Sequence, residues 1–161
     1  MISFKKIMAG CDFSEYSKET LEYAASLAEN CQAELVVVNV INQRDVDTIL
    51  KISEKTFDRN VERNVEKLAE DYVKRETEKR TRQIDKLIEE ISCPNLNVKK
   101  IIRVGVPFLE LNRAIEVEHA DLMVMGPKGH GNLAGVLFGS NAEKLFRHCP
   151  VPLLSVRSKK D

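Results

Sequence analysis

A chain of 161 residues is long enough to bury a core without disulfides or metals, and it falls within the range of one domain, so a single domain over 1–161 is expected. Lys plus Arg and Asp plus Glu each number 25; the formal net charge is zero, which excludes a global footprint for nucleic acid or for an acidic membrane surface. No stretch approaches the roughly 20 apolar residues of a membrane span, and Asp12 arrives before a long apolar run can form, so a cytoplasmic protein without export signal is expected. Cys11, Cys31, Cys93 and Cys149 stand far apart, with no CxxC or Cys/His cluster that would hold zinc, and are expected to be reduced thiols packed as small apolar groups.

In chain order, Phe4, Ile7, Met8 and Ala9 form a short apolar run ending at Gly10-Cys11-Asp12, a buried strand that stops in a polar turn. Ser14 reads as an N-cap, followed by Leu21, Ala24, Ala25, Leu27 and Ala28 at helical spacing, which predicts an amphipathic helix to about Asn30. Leu35 to Ile41 is apolar on both faces, as a central parallel strand must be. From about 52 to 92 a charged helical crossover carries Phe57, Val61, Val65, Leu68 and Tyr72 on one stripe. Lys74 to Gln83 has no apolar residue, so this middle is expected to stand in solvent and be mobile, the stripe resuming at Ile84, Leu87, Ile88 and Ile91. As one straight helix the segment would measure about 60 Å, so it must overhang the sheet or break in two.

Val98 to Val104 alternates with Lys and Arg, as suits a strand near a sheet edge. Gly105-Val106-Pro107 turns into a helix with Pro107 at its first position and Leu111, Ala114, Ile115 and Val117 as its buried side. Asp121 to Met125 is a fourth strand, Ser140 to His148 a short helix, and Val151 to Val156 a fifth strand. Alternating strands and helices give a doubly wound α/β fold, a parallel sheet with helices on both faces, whose ligands bind beyond the carboxyl ends of the strands where the strand order reverses.

The fourth strand ends in such a place. Gly126 to Gly139 holds five glycines in fourteen residues, out of seven in the chain. Glycine lets backbone amides approach an anion, and Gly139-Ser140 opens a helix whose unpaired amides and positive dipole end attract phosphate. The Walker pattern is absent, since no lysine precedes Ser140, and a Rossmann fingerprint would follow the first strand rather than the fourth.

The spacing that is present, Gly126, two residues, Gly129, nine residues, then Gly139-Ser140, resembles the loop of the universal stress protein family. Lys5-Lys6-Ile7, Asp12-Phe13-Ser14-Glu15, Asn39-Val40, Gly105-Val106-Pro107, Ala120 to Gly126 and Pro150-Val151-Pro152 are similar to that family as well, so the resemblance spans the chain. It implies a Rossmann-like, adenine nucleotide α-hydrolase-like fold with five parallel strands in the order 3-2-1-4-5. It further implies the branch that binds ATP, or ADP or AMP, and a homodimer joined through Val151 to Val156; Asp12, at the end of the first strand, is the carboxylate that could share Mg with the nucleotide phosphates.

Position by position, the resemblance places Asp12 near ribose and adenine, Val40 at the base, Gly10 with Cys11 at the first-strand edge of the pocket, and Gly126, Gly129, Gly139, Ser140 and Asn141 around phosphates and ribose; Met125 is counted with the nucleotide-binding residues, as is His130, a loop charge able to neutralise phosphate. Three residues depart from the family's pattern. Pro127 stands where Ser or Thr is common and removes a backbone donor, Asn39 replaces a common His, and Asn141 a common Val. Read without the resemblance, Asp12 is also an ordinary turn carboxylate and Cys11 a small buried side chain. No nucleophile with a base and no carboxylate pair on one element appears, so no catalytic residue is assigned. The expectation is a nucleotide-binding regulatory or stress-response module with slow hydrolysis at most, the alternative being an interaction protein that uses the charged crossover.

Overall fold

The computed structural model describes residues 3–51, 59–91, 93, 95–129 and 139–157. Five strands, β1 (Lys6–Gly10), β2 (Glu34–Asn42), β3 (Val98–Gly105), β4 (Leu122–Met125) and β5 (Leu153–Ser155), form one sheet in the order β3-β2-β1-β4-β5. Every adjacent pair is parallel. Five helices stand among the described residues: α1 (Ser17–Cys31), α2 (Gln43–Leu50), α3 (Arg59–Ile91), α4 (Pro107–Glu118) and α5 (Ser140–His148). The expected fold and strand order are observed. The strand order reverses between β1 and β4, which opens a crevice at their carboxyl ends.

Strand residues alternate between two cores, because successive side chains point to opposite faces. Ile7, Ala9, Leu35 and Val37 pack under α1 with Leu21 and Ala24, joined by Ile84 from α3. Met8, Val36, Val38 and Met123 pack on the other side with Ala114 and Ile115 of α4 and Leu145 of α5. Ile84 is fully buried, worth about 1.5–3 kcal/mol for such a side chain, and it fixes the second half of α3 to the sheet. A third cluster of Ile41, Val46 and Ala69, with Ile49, Tyr72 and Val73 against it, binds α2 to the first half of α3 at the end of β2.

Four expectations change. Ser14 does not cap α1, whose N-cap is Tyr16 without a side-chain bond; residues 13–16 form an extra turn, with Phe13 in the left-handed region at φ 61°. The helix α2 was not foreseen, although Val46, Ile49 and Leu50 have helical spacing and the side chain of Asn42 accepts the Arg44 N–H at its start. Val117 is 61% exposed rather than buried, as α4 turns it away from the sheet.

The largest change concerns Lys74 to Gln83, which lies inside the continuous α3 of 33 residues, about 50 Å long at 1.5 Å per residue. Glu76, Thr77, Arg80, Thr81 and Gln83 are all partly buried, so the inner face of the helix continues through this stretch in polar residues. A stripe sought only among apolar residues misses it, because a face over a polar cleft is satisfied by hydrogen bonds instead of by burial. The β5 ladder extends past its three strand residues, with the Met123 N–H donating to the Pro152 carbonyl at 2.9 Å and the Val156 N–H to the Met125 carbonyl at 2.8 Å.

Candidate functional site

A cleft of about 710 Å³ lies over the carboxyl ends of β1, β2 and β4, where the reversal of strand order puts it. Its floor is Gly10 and Cys11 at the end of β1, Val40 in β2 and Met125 in β4. Asp12, Gly126, Gly129, Gly139, Ser140 and Asn141 line it too. Ten of the eleven residues selected from the sequence therefore surround one space, and His130 lies outside the described residues.

Its first wall is a turn held by Asp12. One carboxylate oxygen of Asp12, Oδ1, accepts the Ser14 N–H at 3.0 Å and the Ser17 hydroxyl at 3.1 Å, which ties the turn to the first residue of α1. The turn reading and the site reading of Asp12 thus hold together, since the other oxygen, Oδ2, lies against the glycine segment: a Cβ on Gly129 would sit 2.5 Å from it. Any side chain at 129 would drive the segment off the carboxylate. Ser14 Oγ, also lining the cleft, is buried and has no hydrogen-bond partner among the described residues.

Gly126 to Gly129 forms the second wall. A Cβ on Gly126 would come within 2.9 Å of Tyr16 Cβ, so glycine lets the strand end pass close under the start of α1. Pro127 is buried, and its carbonyl accepts the Gly139 N–H at 3.1 Å, which clips the segment directly to the start of α5. Gly139 itself has φ −71° and needs no left-handed backbone; a Cβ there would make only ordinary contacts at 3.5 Å. Among the described residues no side chain caps α5, and the Glu143 N–H, bonded to the Gly139 carbonyl, begins its ladder. The amides of Ser140, Asn141 and Ala142 precede that ladder, the arrangement that receives an anion at a helix start.

The third wall was missed by sequence reasoning. It comes from α3, whose Glu76, Lys79, Arg80 and Gln83 line the cleft opposite α5. Asn39, only 3% exposed, donates through Nδ2 to the Cys11 carbonyl at 2.7 Å and accepts Arg80 Nη1 at Oδ1 at 2.9 Å. The same Nη1 reaches the Val40 carbonyl at 3.1 Å, while Arg80 Nε donates to Glu76 Oε2 at 3.2 Å. Burial works against the Glu76 charge, yet bonds from Arg80 and Lys79 outweigh it and hold this carboxyl below its ordinary range. A buried asparagine at the end of a strand was the one available signal, since such an amide must find partners.

Burial pushes the Cys11 thiol up, against smaller contributions from the Phe13 backbone and Ser17 that favour the thiolate. It stays protonated at neutral pH and acts as a wall, not as a nucleophile. All four cysteines are free thiols. No described helix is long and apolar enough to cross a membrane.

The sequence profile of the universal stress protein family matches residues 3–157. Universal stress protein MJ0577 of Methanocaldococcus jannaschii is 27% identical over 158 residues, covering 98% of each chain. The solved structure of MJ0577 superposes with a TM-score of 0.80 at 26% identity, over 99% of this chain and 100% of that one. Two further solved structures share the fold. A universal stress protein in complex with cAMP has a TM-score of 0.59 at 18% identity, over 96% of this chain and 98% of that one. The universal stress protein from Archaeoglobus fulgidus in complex with dAMP has a TM-score of 0.58 at 15% identity, over 98% and 100%.

Proposed function

The chain belongs to the universal stress protein family, and on that premise we propose that its cleft binds an adenine nucleotide, ATP foremost, in one nucleotide-binding domain that serves a regulatory or stress-response role. The observation that carries this reading is the clip between Pro127 and Gly139, which holds a glycine-lined backbone segment against the uncapped start of α5. That is a phosphate cradle built from amides and a helix dipole, with no lysine before Ser140 but with Lys128 of the clipped segment on the cleft. The cAMP and dAMP complexes of two proteins with the same fold support an adenine ligand.

The residues present fit such a ligand. The unpartnered Ser14 hydroxyl and the Asp12 carboxylate lie between the phosphate cradle and the floor, where the ribose would pass. Val40 and the Gly10-Cys11 edge would meet the base. Mg would ride on the phosphates, with Asp12 as the protein carboxylate that completes its shell. Calorimetric titration with Mg-ATP tests the reading: one nucleotide per chain is expected, and absence of binding at millimolar ATP would overturn it.

The functional unit in this proposal is a two-fold dimer. The strand β5 is an edge strand bearing Leu153 and Leu154, and an apolar edge is a template for a second copy. Sedimentation at micromolar concentration should give a dimer; a monomer that persists as concentration rises would contradict it.

A further inference from the structure

The polar middle of α3 brings one guanidinium to the β2 end of the cleft and holds it from two sides. The side chain of Arg80 is 18% exposed. A guanidinium has five N–H donors in a planar fork. Three of them are used: Nε–H on Glu76 Oε2, and the two on Nη1 on Asn39 Oδ1 and the Val40 carbonyl. The pair on Nη2 has no partner among the described residues. The fork cannot drift, because Asn39 is buried and is itself tied to the Cys11 carbonyl. A donor pair fixed on a cleft wall at no further ordering cost is suited to an acceptor edge of a ligand.

Its place in the sheet says which part of the ligand. Neighbouring strands are about 4.8 Å apart, and β1 separates β2 from β4, so the Asn39-Val40 end lies about 10 Å across the sheet from Gly126. A nucleotide whose phosphates sit at Gly126 and Ser140 has its ribose over β1 and its base over β2. A purine carries ring nitrogens that accept hydrogen bonds out to that distance; a pyrimidine stops one ring short. We infer that Arg80 is a specificity-determining residue of the cleft, presenting Nη2 to the acceptor edge of a purine base at the β2 end. The inference rests on the nucleotide reading above and adds a side chain from the crossover helix to it.

The test compares affinities for Mg-ATP and Mg-CTP, by competition where binding is weak, in the parent, Arg80→Ala and Arg80→Lys. The parent should prefer ATP. Arg80→Ala should weaken ATP by about tenfold, the scale of one charged hydrogen bond, leave CTP nearly unchanged, and so compress the ratio by the same factor. Arg80→Lys keeps the charge but loses the fork, and its ratio should stay compressed. A common loss for both nucleotides would mean that Arg80 serves the phosphates or the fold, and unchanged ATP binding would mean that it serves neither; each overturns the inference. Should Arg80→Ala fail to fold, Arg80→Lys gives the same ratio. A parent that binds ATP and CTP alike overturns the role of Arg80 alone, whereas a parent that binds no nucleotide overturns the reading of the cleft itself.

Discussion

The two ends of the cleft are built by opposite means. At the β4 end, Gly126 to Gly129 and Gly139 to Asn141 offer backbone: glycines that let the chain approach Asp12 and Tyr16, a carbonyl-to-amide clip, and the start of a helix. At the β2 end, side chains 41 residues apart, Asn39 and Arg80, meet across the cleft and fix each other. Backbone amides supply a strong anion site that is indifferent to what the anion is attached to. Side-chain forks supply geometry, and geometry discriminates. Affinity is therefore expected to depend on the first end and selectivity on the second.

The largest effect should come from Gly139→Val. The backbone there has φ −71° and a Cβ meets its neighbours at ordinary contact distance, so the fold tolerates the change. The branched side chain would stand before the amides that open α5, and binding of every nucleotide should be lost together. Saturating ATP should raise the unfolding temperature of the parent and leave that of the variant where it was. An ATP-dependent rise of equal size in the variant would break the division between the two ends.

A smaller effect is expected from Glu76→Gln at the other end. Because the folded protein holds the Glu76 carboxyl below its ordinary value, the unfolded chain binds more protons as pH falls through the ordinary glutamate range. The stabilisation is present above that range and is lost on acidification toward the lowered folded value. Denaturant unfolding across this window should show the parent losing stability more steeply than Glu76→Gln, whose side chain does not titrate. Identical slopes would mean that the bond between Glu76 and Arg80 contributes nothing to holding α3 on the cleft.

The difference between the ends also explains what could be read from the residues alone. Fold class followed from apolar runs such as Leu35 to Ile41 and from punctuation such as Gly105-Val106-Pro107, which are local signals, whereas the strand order came only with the family resemblance. The glycine-lined end of the cleft was legible because its signals are local too, since Gly126, Gly129, Gly139 and Ser140 sit in one window of sequence. The other end was not. Nothing near Arg80 in sequence tells that it lies beside Asn39, and a ten-residue run without apolar side chains reads as solvated when its partners are carbonyl and amide groups from another strand. The cap of α1 misled in a related way: Ser14 has the residue type of an N-cap, but Asp12 engages its N–H and the Ser17 hydroxyl, and the cap falls two residues later, at Tyr16.

The central claim is that one nucleotide spans both ends, phosphates on α5 and base beside Arg80. Amide chemical shifts of Ser140 and Val40, followed by NMR during titration with Mg-ATP and separately with inorganic triphosphate, test it directly. ATP should move both signals with one dissociation constant, and triphosphate should move Ser140 while leaving Val40 in place. If ATP moves Ser140 alone, or if triphosphate moves both signals alike, the base does not reach β2 and the account of a divided cleft is wrong.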